Sequence, residues 1–340
     1  MDIDGIAKLA QTCFASNPVL VLGSGASAPH QLPGMDALKY HLMAVVAADG
    51  PEEETAWDQV RQAFEAGEHL EKALTGKVLP TRLTKKIVDE TWRCINAADK
   101  AVFFRALCGT EVFPLATLLA SLFRSSNKTV DIVTTNYDRI AEYACNSTDL
   151  LFSAGFIPGY IQLREGGDPV HFHRGGKQMR TVRIWKVHGS LDWFERADGS
   201  AISAPLFDLP DGPITPLIVT PGFNKFERTH DEPFRSAIQG ADRSLENADA
   251  FLCVGFGFRD THIEPKMLGR CRQKNLPVTV IARSLTDEAL GFLRDKAGAR
   301  YLGIEKSGTG SRVYVAEHPG GLFIADKDFW SMDGFIKLVT

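Results

Sequence analysis

The stretch Asp131-Ile132-Val133-Thr134-Thr135-Asn136-Tyr137-Asp138 ends an apolar, β-branched run in a cluster of hydroxyl, amide and carboxylate groups. Helical spacing resumes at Arg139-Ile140-Ala141-Glu142-Tyr143-Ala144, which sets Asn136 where a strand hands over to a helix. That is the carboxyl end of a strand, the edge at which open α/β sheets place their ligands. A second apolar run, 19–22, passes into Gly23-Ser24-Gly25-Ala26-Ser27, whose small side chains let a backbone approach a phosphate and turn the following amides toward it. The third glycine of G-x-G-x-x-G is missing, so the same turn also reads as a tight connection that needs glycine only for its dihedrals. Val187-His188-Gly189-Ser190 sets a histidine at another strand end, where a lone histidine is more often structural than catalytic. His171 and His173 could face one way on a strand, yet two ligands without a third make no metal site, and no metal is expected.

These groups need a sheet to line them up. Periodicity predicts a helix over 4–15, the strand 19–22, a helix over 36–47, then helical stretches over 57–74, 82–97, 101–108 and 115–123 with almost no strand signal. After the strand at 131–134 and its helix, short strands are expected within 152–163, 181–187 and 214–220, punctuated by turns at 166–169, 175–176 and 211–213. A turn at 220–225 leads to a helix over 233–245. Strand 248–254 then runs into Gly255-Phe256-Gly257-Phe258-Arg259-Asp260, followed by a helix over 263–271. Strand 277–281 runs into Ala282-Arg283-Ser284 before a helix over 286–296, and the tail reads as strands at 312–315 and 322–325 with a helix over 329–339. Glycine, asparagine and small polar residues thus recur at the strand exits near 23, 136, 255 and 283, as expected of turns that line one crevice. The organisation expected is a sheet domain formed by 1–49 and 126–340, with 50–125 as an all-helical insertion or cap.

Composition narrows the partners. At 340 residues and 44% hydrophobic the chain buries a full core, and a formal net charge of −4 with scattered Lys and Arg leaves no electrostatic footprint for nucleic acid. Cys13, Cys94, Cys108, Cys145, Cys253 and Cys271 lie far apart without a C-x-x-C pair and read as reduced core thiols of a cytoplasmic protein. The start lacks a basic n-region, and the longest mostly apolar stretch, 112–123, is too short to span a bilayer.

Gly23-Ser-Gly-Ala-Ser27 with Leu32-Pro-Gly34, Thr134-Thr-Asn-Tyr-Asp138, Lys186-Val-His-Gly-Ser190 and Gly255-Phe-Gly-Phe-Arg-Asp260 stand in the order and spacing of the sirtuin-like superfamily. They resemble its bacterial anti-phage branch rather than the protein deacetylases. Pro221-Gly-Phe-Asn-Lys225 is similar to the corresponding turn of the sirtuin-like subunit that pairs with a HerA-type ATPase.

The resemblance implies NAD+ bound across a doubly wound, mostly parallel α/β sheet (Rossmann-like, sirtuin-type). Gly23, Ser24, Gly25, Ala26 and Ser27 would cradle phosphates, with Thr135, Gly255, Phe256, Gly257, Asp260, Arg283 and Ser284 lining the same crevice. Asn136 is implied at the nicotinamide ribose and His188 as base; Asp138 would orient one of these groups or cap the helix that starts there. Ser27 would contact a phosphate or fix the turn, and Tyr137 is expected to pack against the sheet. The sequence departs from the deacetylases in lacking the zinc-ribbon cysteines, and in carrying Gly34-Met35 where they carry Phe-Arg. Water then becomes the expected acceptor, making the chain an NAD+ hydrolase that depletes NAD in anti-phage defence. Homo-oligomerisation or an ATPase partner would gate it. The same residues would also serve a deacylase or ADP-ribosyltransferase, and a non-catalytic nucleotide sensor would keep the pocket alone.

Overall fold

The computed structural model describes residues 2–124, 126–164, 170–220 and 231–340. The turns expected at 166–169 and 221–225 lie outside them. In chain order the strands are β1 (Val19–Leu22), β2 (Thr129–Thr134), β3 (Leu151–Ser153), β4 (Gln162–Leu163), β5 (His173–Arg174), β6 (Lys177–Gln178), β7 (Thr181–Lys186), β8 (Gly189–Glu195), β9 (Ala201–Ser203), β10 (Thr215–Ile218), β11 (Phe251–Val254), β12 (Val278–Ala282), β13 (Tyr301–Ser307), β14 (Gly310–Val315) and β15 (His318–Ile324). The helices are α1 (Ile3–Ala15), α2 (Ser24–Ser27), α3 (Met35–Val45), α4 (Pro51–Glu65), α5 (Leu70–Leu74), α6 (Thr81–Leu107), α7 (Pro114–Leu122), α8 (Ile140–Asn146), α9 (Phe234–Glu246), α10 (Ile263–Gln273), α11 (Asp287–Asp295) and α12 (Met332–Val339).

A nine-stranded sheet in the order β15-β14-β13-β12-β11-β1-β2-β7-β3 forms the frame. All pairings from β13 to β3 are parallel, and the two pairings at one edge, β13 with β14 and β14 with β15, are antiparallel. Ranked along the chain, β7-β2-β1-β11-β12-β13 is the 3-2-1-4-5-6 order of a doubly wound sheet, whose direction of winding reverses between β1 and β11. The expected sheet class is therefore found. The central strands are apolar on both faces because both are covered. Leu20, Leu22, Ile132, Ile184 and Val254 pack with α1, α7, α8 and α12, while Val21, Val133, Trp185, Cys253 and Val280 pack with α9, α10 and α11.

The helices after α2 build a second core. Leu38, Leu42, Trp57, Val60, Leu83, Ile87 and Trp92 of α3, α4 and α6 close on Leu191, Phe194, Ile202 and Ile218 from a small antiparallel sheet, β10-β8-β9-β4. Glu52, Glu53 and Glu54 occupy the first turn of α4 behind Pro51, where the helix dipole favours negative charge. Helix α7 instead packs beneath the large sheet through Leu115, Leu118, Leu119 and Leu122.

Several local expectations are corrected. The stretch 57–74 breaks at Gly67, whose φ of +87° ends α4, whereas 82–97 and 101–108 form one unbroken α6 of 27 residues because nothing between them interrupts a helix. Periodicity missed β13, β8, β9 and the short β5–β6 pair. The chain leaves β7, passes His188 and turns at once into the second sheet at Gly189, where φ is +88° and a Cβ would lie 2.0 Å from the Leu217 carbonyl oxygen. The span 152–163 divides between β3 and β4, which belong to different sheets. Cys108 is exposed and Cys94 half-buried, so neither is a core thiol, while the other four cysteines are buried.

Candidate active site

Register places the strand exits side by side. Leu22 pairs with both Thr134 and Val254, Thr134 pairs with Lys186, and Val254 pairs with Ile281. The turns beginning at 23, 135, 187, 255 and 282 therefore share the carboxyl edge, centred on the switch point between β1 and β11.

At that point the glycines serve close backbone packing. A Cβ on Gly23 would lie 2.3 Å from the Gly255 carbonyl oxygen, one on Gly25 2.7 Å from the Gly255 Cα, and Gly255 itself has φ +57°. The Gly23 and Gly25 amides donate to the Val254 and Gly255 carbonyls at 3.1 and 3.2 Å, and the Ala26 amide donates to Gly23 at 2.9 Å. The tight-turn reading is thus realised here, and these three amides are already committed within the chain. Ser24 is exposed and Ser27 buried.

Asn136 joins the two sides. Its Nδ2 donates to the Gly23 carbonyl at 2.9 Å and to the Ser27 hydroxyl at 3.1 Å, while its backbone amide donates to Thr134 Oγ1 at 3.0 Å. Both amide hydrogens are spent on the first turn, so Oδ1 is the end left to meet a hydroxyl or a water. A cavity of about 40 Å³ lies beside it, with Ser27, His30, Thr134, Asn136, Asp138 and Lys186 set in an otherwise apolar wall of Leu22, Ala26, Pro29, Leu115, Ile140 and Met332. The lining, apolar with a few convergent polar groups, is that of a small-molecule site, while the enclosed volume matches roughly one water and so marks the inner end of the crevice.

Asp138 accepts from the Ile140 amide at 3.2 Å and so closes the turn into α8, whose N-cap position is Arg139. Burial pushes its carboxyl above the usual range, against the opposing charge of Lys186. Lys186 is itself fully buried, with Nζ 2.9 Å from Glu142 Oε1 and donating to the Asp138 carbonyl. The surrounding carboxylates outweigh desolvation and hold its ammonium charged. A lysine ending a central apolar strand is a sequence signal for such a buried pair, and the strand pattern alone passed over it.

His188 stands apart from the cavity wall. Its Nε2 lies 3.0 Å from Asp260 Oδ2, while Asp260 Oδ1 accepts from the His262 and Ile263 amides at 2.9 and 3.0 Å and so caps α10. Burial would raise the Asp260 carboxyl, but the His188 contact and the two amides prevail and hold it well below the usual range. Asp260 thereby faces the imidazole with Oδ2 as a close charge at ion-pair distance, outside hydrogen-bond geometry, while Oδ1 is engaged by the two amides. Asp260→Asn keeps the cap and removes the charge, and is expected to cost about 1–3 kcal/mol at pH 7. Because the folded carboxyl titrates below its unfolded value near 3.9, that contribution is present above about pH 4 and is lost as the pH falls. Thermal midpoints of wild type and variant should begin to draw together as the pH falls below about 4, and go on converging toward the depressed folded pKa of the carboxyl; a constant gap contradicts the pairing.

The other crevice residues divide. Thr135 is half-buried at the exit of β2, and Arg283 and Ser284 are exposed beyond β12. Phe256 is core, its ring 5.0 Å from Phe258, and the Gly257 carbonyl accepts from Thr286 Oγ1 at 2.8 Å. Tyr137 packs toward the helical lobe rather than the large sheet, and its hydroxyl donates to the Val219 carbonyl.

Behind the site, α6 presents Trp92, Asn96 and Asp99 on one face at helical spacing. Trp92 Nε1 and Asn96 Nδ2 donate to the Leu191 and Phe207 carbonyls, both at 2.8 Å. Asp99, with no exposure, accepts from the Arg139 backbone amide and Nε at 2.8 Å and from the Tyr143 hydroxyl at 2.6 Å. Among the described residues no group of three or more His, Cys, Asp or Glu is placed to hold a metal ion, and no helix is long and apolar enough to cross a membrane.

Comparison with known proteins adds a family likeness. No curated protein matches the chain. Solved structures that resemble it include one from work on the mechanism and regulation of Sir2 enzymes, at 14% identity and TM-score 0.48 over 99% of this chain and 98% of that one. A mutant Sir2 homologue in complex with ADP-ribose matches at 14% identity and TM-score 0.49, covering 98% and 95%. A Sir2 homologue in complex with NAD matches at 15% identity and TM-score 0.43, covering 100% and 94%. Residues 130–267, a span that holds Asn136, Asp138, His188 and Asp260, match the model of the SIR2-like domain.

Proposed function

We propose that the chain is an NAD+ hydrolase that cleaves the bond between nicotinamide and ribose. The observation that carries this reading is Asn136, fixed by both amide hydrogens to the first glycine-rich turn, beside an apolar cavity at the sheet's switch point. The match of 130–267 to the SIR2-like domain supports it.

In this reading water adds to the ribose carbon as the bond to the ring nitrogen breaks, giving nicotinamide, ADP-ribose and a proton. Charge develops on the ribose, so the protein's task is to hold the ring and water in place rather than to supply a strong acid. Asn136 Oδ1 accepts from the water or a ribose hydroxyl. His188, oriented by Asp260, takes the proton through its remaining ring nitrogen. Ser24 and Ser27 face the phosphates, and Thr135, Arg283 and Ser284 line the outer crevice.

Asp138 has two candidate duties that one variant separates. Asp138→Asn preserves the hydrogen bond to the Ile140 amide at the start of α8 while removing a buried charge whose folded pKa is raised. A raised carboxyl costs stability above its unfolded pKa, so the variant should melt a few degrees higher at pH 7, roughly 1 kcal/mol, with no gain below about pH 4. Turnover falls about tenfold or more if the carboxylate orients a reacting group, and is unchanged if it only closes that turn. Scanning calorimetry and an NAD assay on the same sample read both.

The sequence resemblance supports a setting in anti-phage defence, with NAD depletion as the effect and gating by homo-oligomerisation or a HerA-type ATPase. The helical stretch 50–125 is our proposed contact surface for that gating. Leu107→Glu and Val112→Glu, both at exposed positions of this stretch, should abolish assembly while the chain stays folded; a complex that forms unchanged contradicts the assignment. Incubation with NAD, with and without an acylated peptide, tests the chemistry: free ADP-ribose without peptide supports hydrolysis, and product only with peptide supports a deacylase.

A further inference from the structure

A second histidine borders the same cavity and has no part in the hydrolysis described above. His30 ends the short turn after Ser27, is 5% exposed, and lines the cavity together with Ser27, Asn136 and Asp138. Its Nδ1 lies 2.6 Å from Glu111 Oε1. Arg105 pairs with the same carboxylate and donates from Nη2 to the His30 carbonyl at 3.3 Å, and the Phe113 ring lies 5.1 Å from the imidazole. Burial opposes the charge on Glu111, but the hydrogen bonds from His30 and Arg105 prevail and hold its carboxyl below the usual range. An anionic Glu111 sets the proton on Nδ1, which leaves Nε2 as the ring's one remaining hydrogen-bonding atom and makes it an acceptor while the ring is neutral.

We propose that His30, anchored by Glu111, is a specificity-determining residue that reads the carboxamide of the leaving ring. In this role Nε2 accepts an amide hydrogen from nicotinamide. Nicotinic acid offers a carboxylate with no hydrogen to give, and that charge would enter a cavity already bordered by Asp138. A site built to receive an N–H rejects the analogue that lacks it, because its own polar group is then left unpaired. The assignment rests on the reading of the crevice as an NAD site.

The test is calorimetric titration of wild type, His30→Leu and Glu111→Gln with NAD, with its nicotinic acid analogue and with ADP-ribose, which lacks the ring. Wild type is expected to prefer NAD over the analogue by about tenfold or more. His30→Leu should bring the two within about twofold while ADP-ribose binding stays unchanged, and Glu111→Gln, which frees the tautomer, should fall between. A structural clasp alone would leave the preference intact. An unchanged preference in His30→Leu, or an equal affinity for both dinucleotides in wild type, overturns the proposal; should His30→Leu fail to fold, an unchanged preference in Glu111→Gln does so. A wild type that binds none of the three sinks the NAD reading and this proposal with it. A wild type that binds NAD with the expected preference but never cleaves it sinks hydrolysis and leaves the role of His30 standing.

Discussion

Asn136→Ala and His188→Ala are each expected to lower NAD turnover by about 10²–10⁴-fold, the usual contribution of a positioned acid or base, in chains that remain folded. Asn136→Ala gives up two hydrogen bonds, to Gly23 and Ser27, worth about 1 kcal/mol apiece. His188→Ala leaves Asp260 with its two amide donors, so that carboxylate keeps most of its partners. Neither loss approaches the 5–15 kcal/mol or so by which domains are stable. Far-UV circular dichroism and melting curves should stay close to wild type while nicotinamide release disappears. Wild-type turnover in both variants would remove the chemical assignment altogether.

Arg139→Ala is expected to have the largest effect on stability, about 3–5 kcal/mol, because it strands a buried carboxylate. Asp99 has no exposure, and Arg139 meets it through Nε, Nη2 and the backbone amide. Burial works against the Arg139 charge, yet Asp99 outweighs it and raises the guanidinium pKa. The pair also ties α6 to the turn that follows Asn136, so turnover should fall with stability. Urea unfolding of Arg139→Ala, and of Arg139→Met combined with Asp99→Leu, measures this. The double variant should recover much of the loss, since an apolar pair of similar size replaces both charges. If the single variant costs less than about 1 kcal/mol, the joint is a solvated pair and transmits nothing.

Much of this site was legible along the chain because its signals are local. An apolar run that stops at Thr134-Thr135-Asn136 marks a strand exit whatever the fold around it, and the limits of β1 follow from four buried apolar residues between Pro18 and Gly23. The recurrence of small polar residues at four exits identified the carboxyl edge. What stayed hidden depends on which turns meet. Gly23, Gly25 and Gly255 are glycines because two backbones touch, and that contact exists only once β1 and β11 are neighbours. His188 finds Asp260 across the switch point for the same reason, so Asp260 looked like one more crevice residue. His30 was passed over in the turn that follows Ser27, its partner Glu111 lying 81 positions further on, between α6 and α7. The continuity of α6 was missed because the stretch around Asp99 lacks an obvious apolar stripe, the face there being held by buried ionic and hydrogen-bonded contacts instead.

The most direct test is to incubate the purified protein with NAD, alone and with the product of the adjacent gene, in the absence of any acylated peptide. Nicotinamide and ADP-ribose are then separated and quantified. The expected result is their release in equal amounts in at least one of the two conditions, and its loss on Asn136→Ala. NAD left intact in both conditions, or consumed only once an acylated peptide is supplied, would contradict hydrolysis at this crevice.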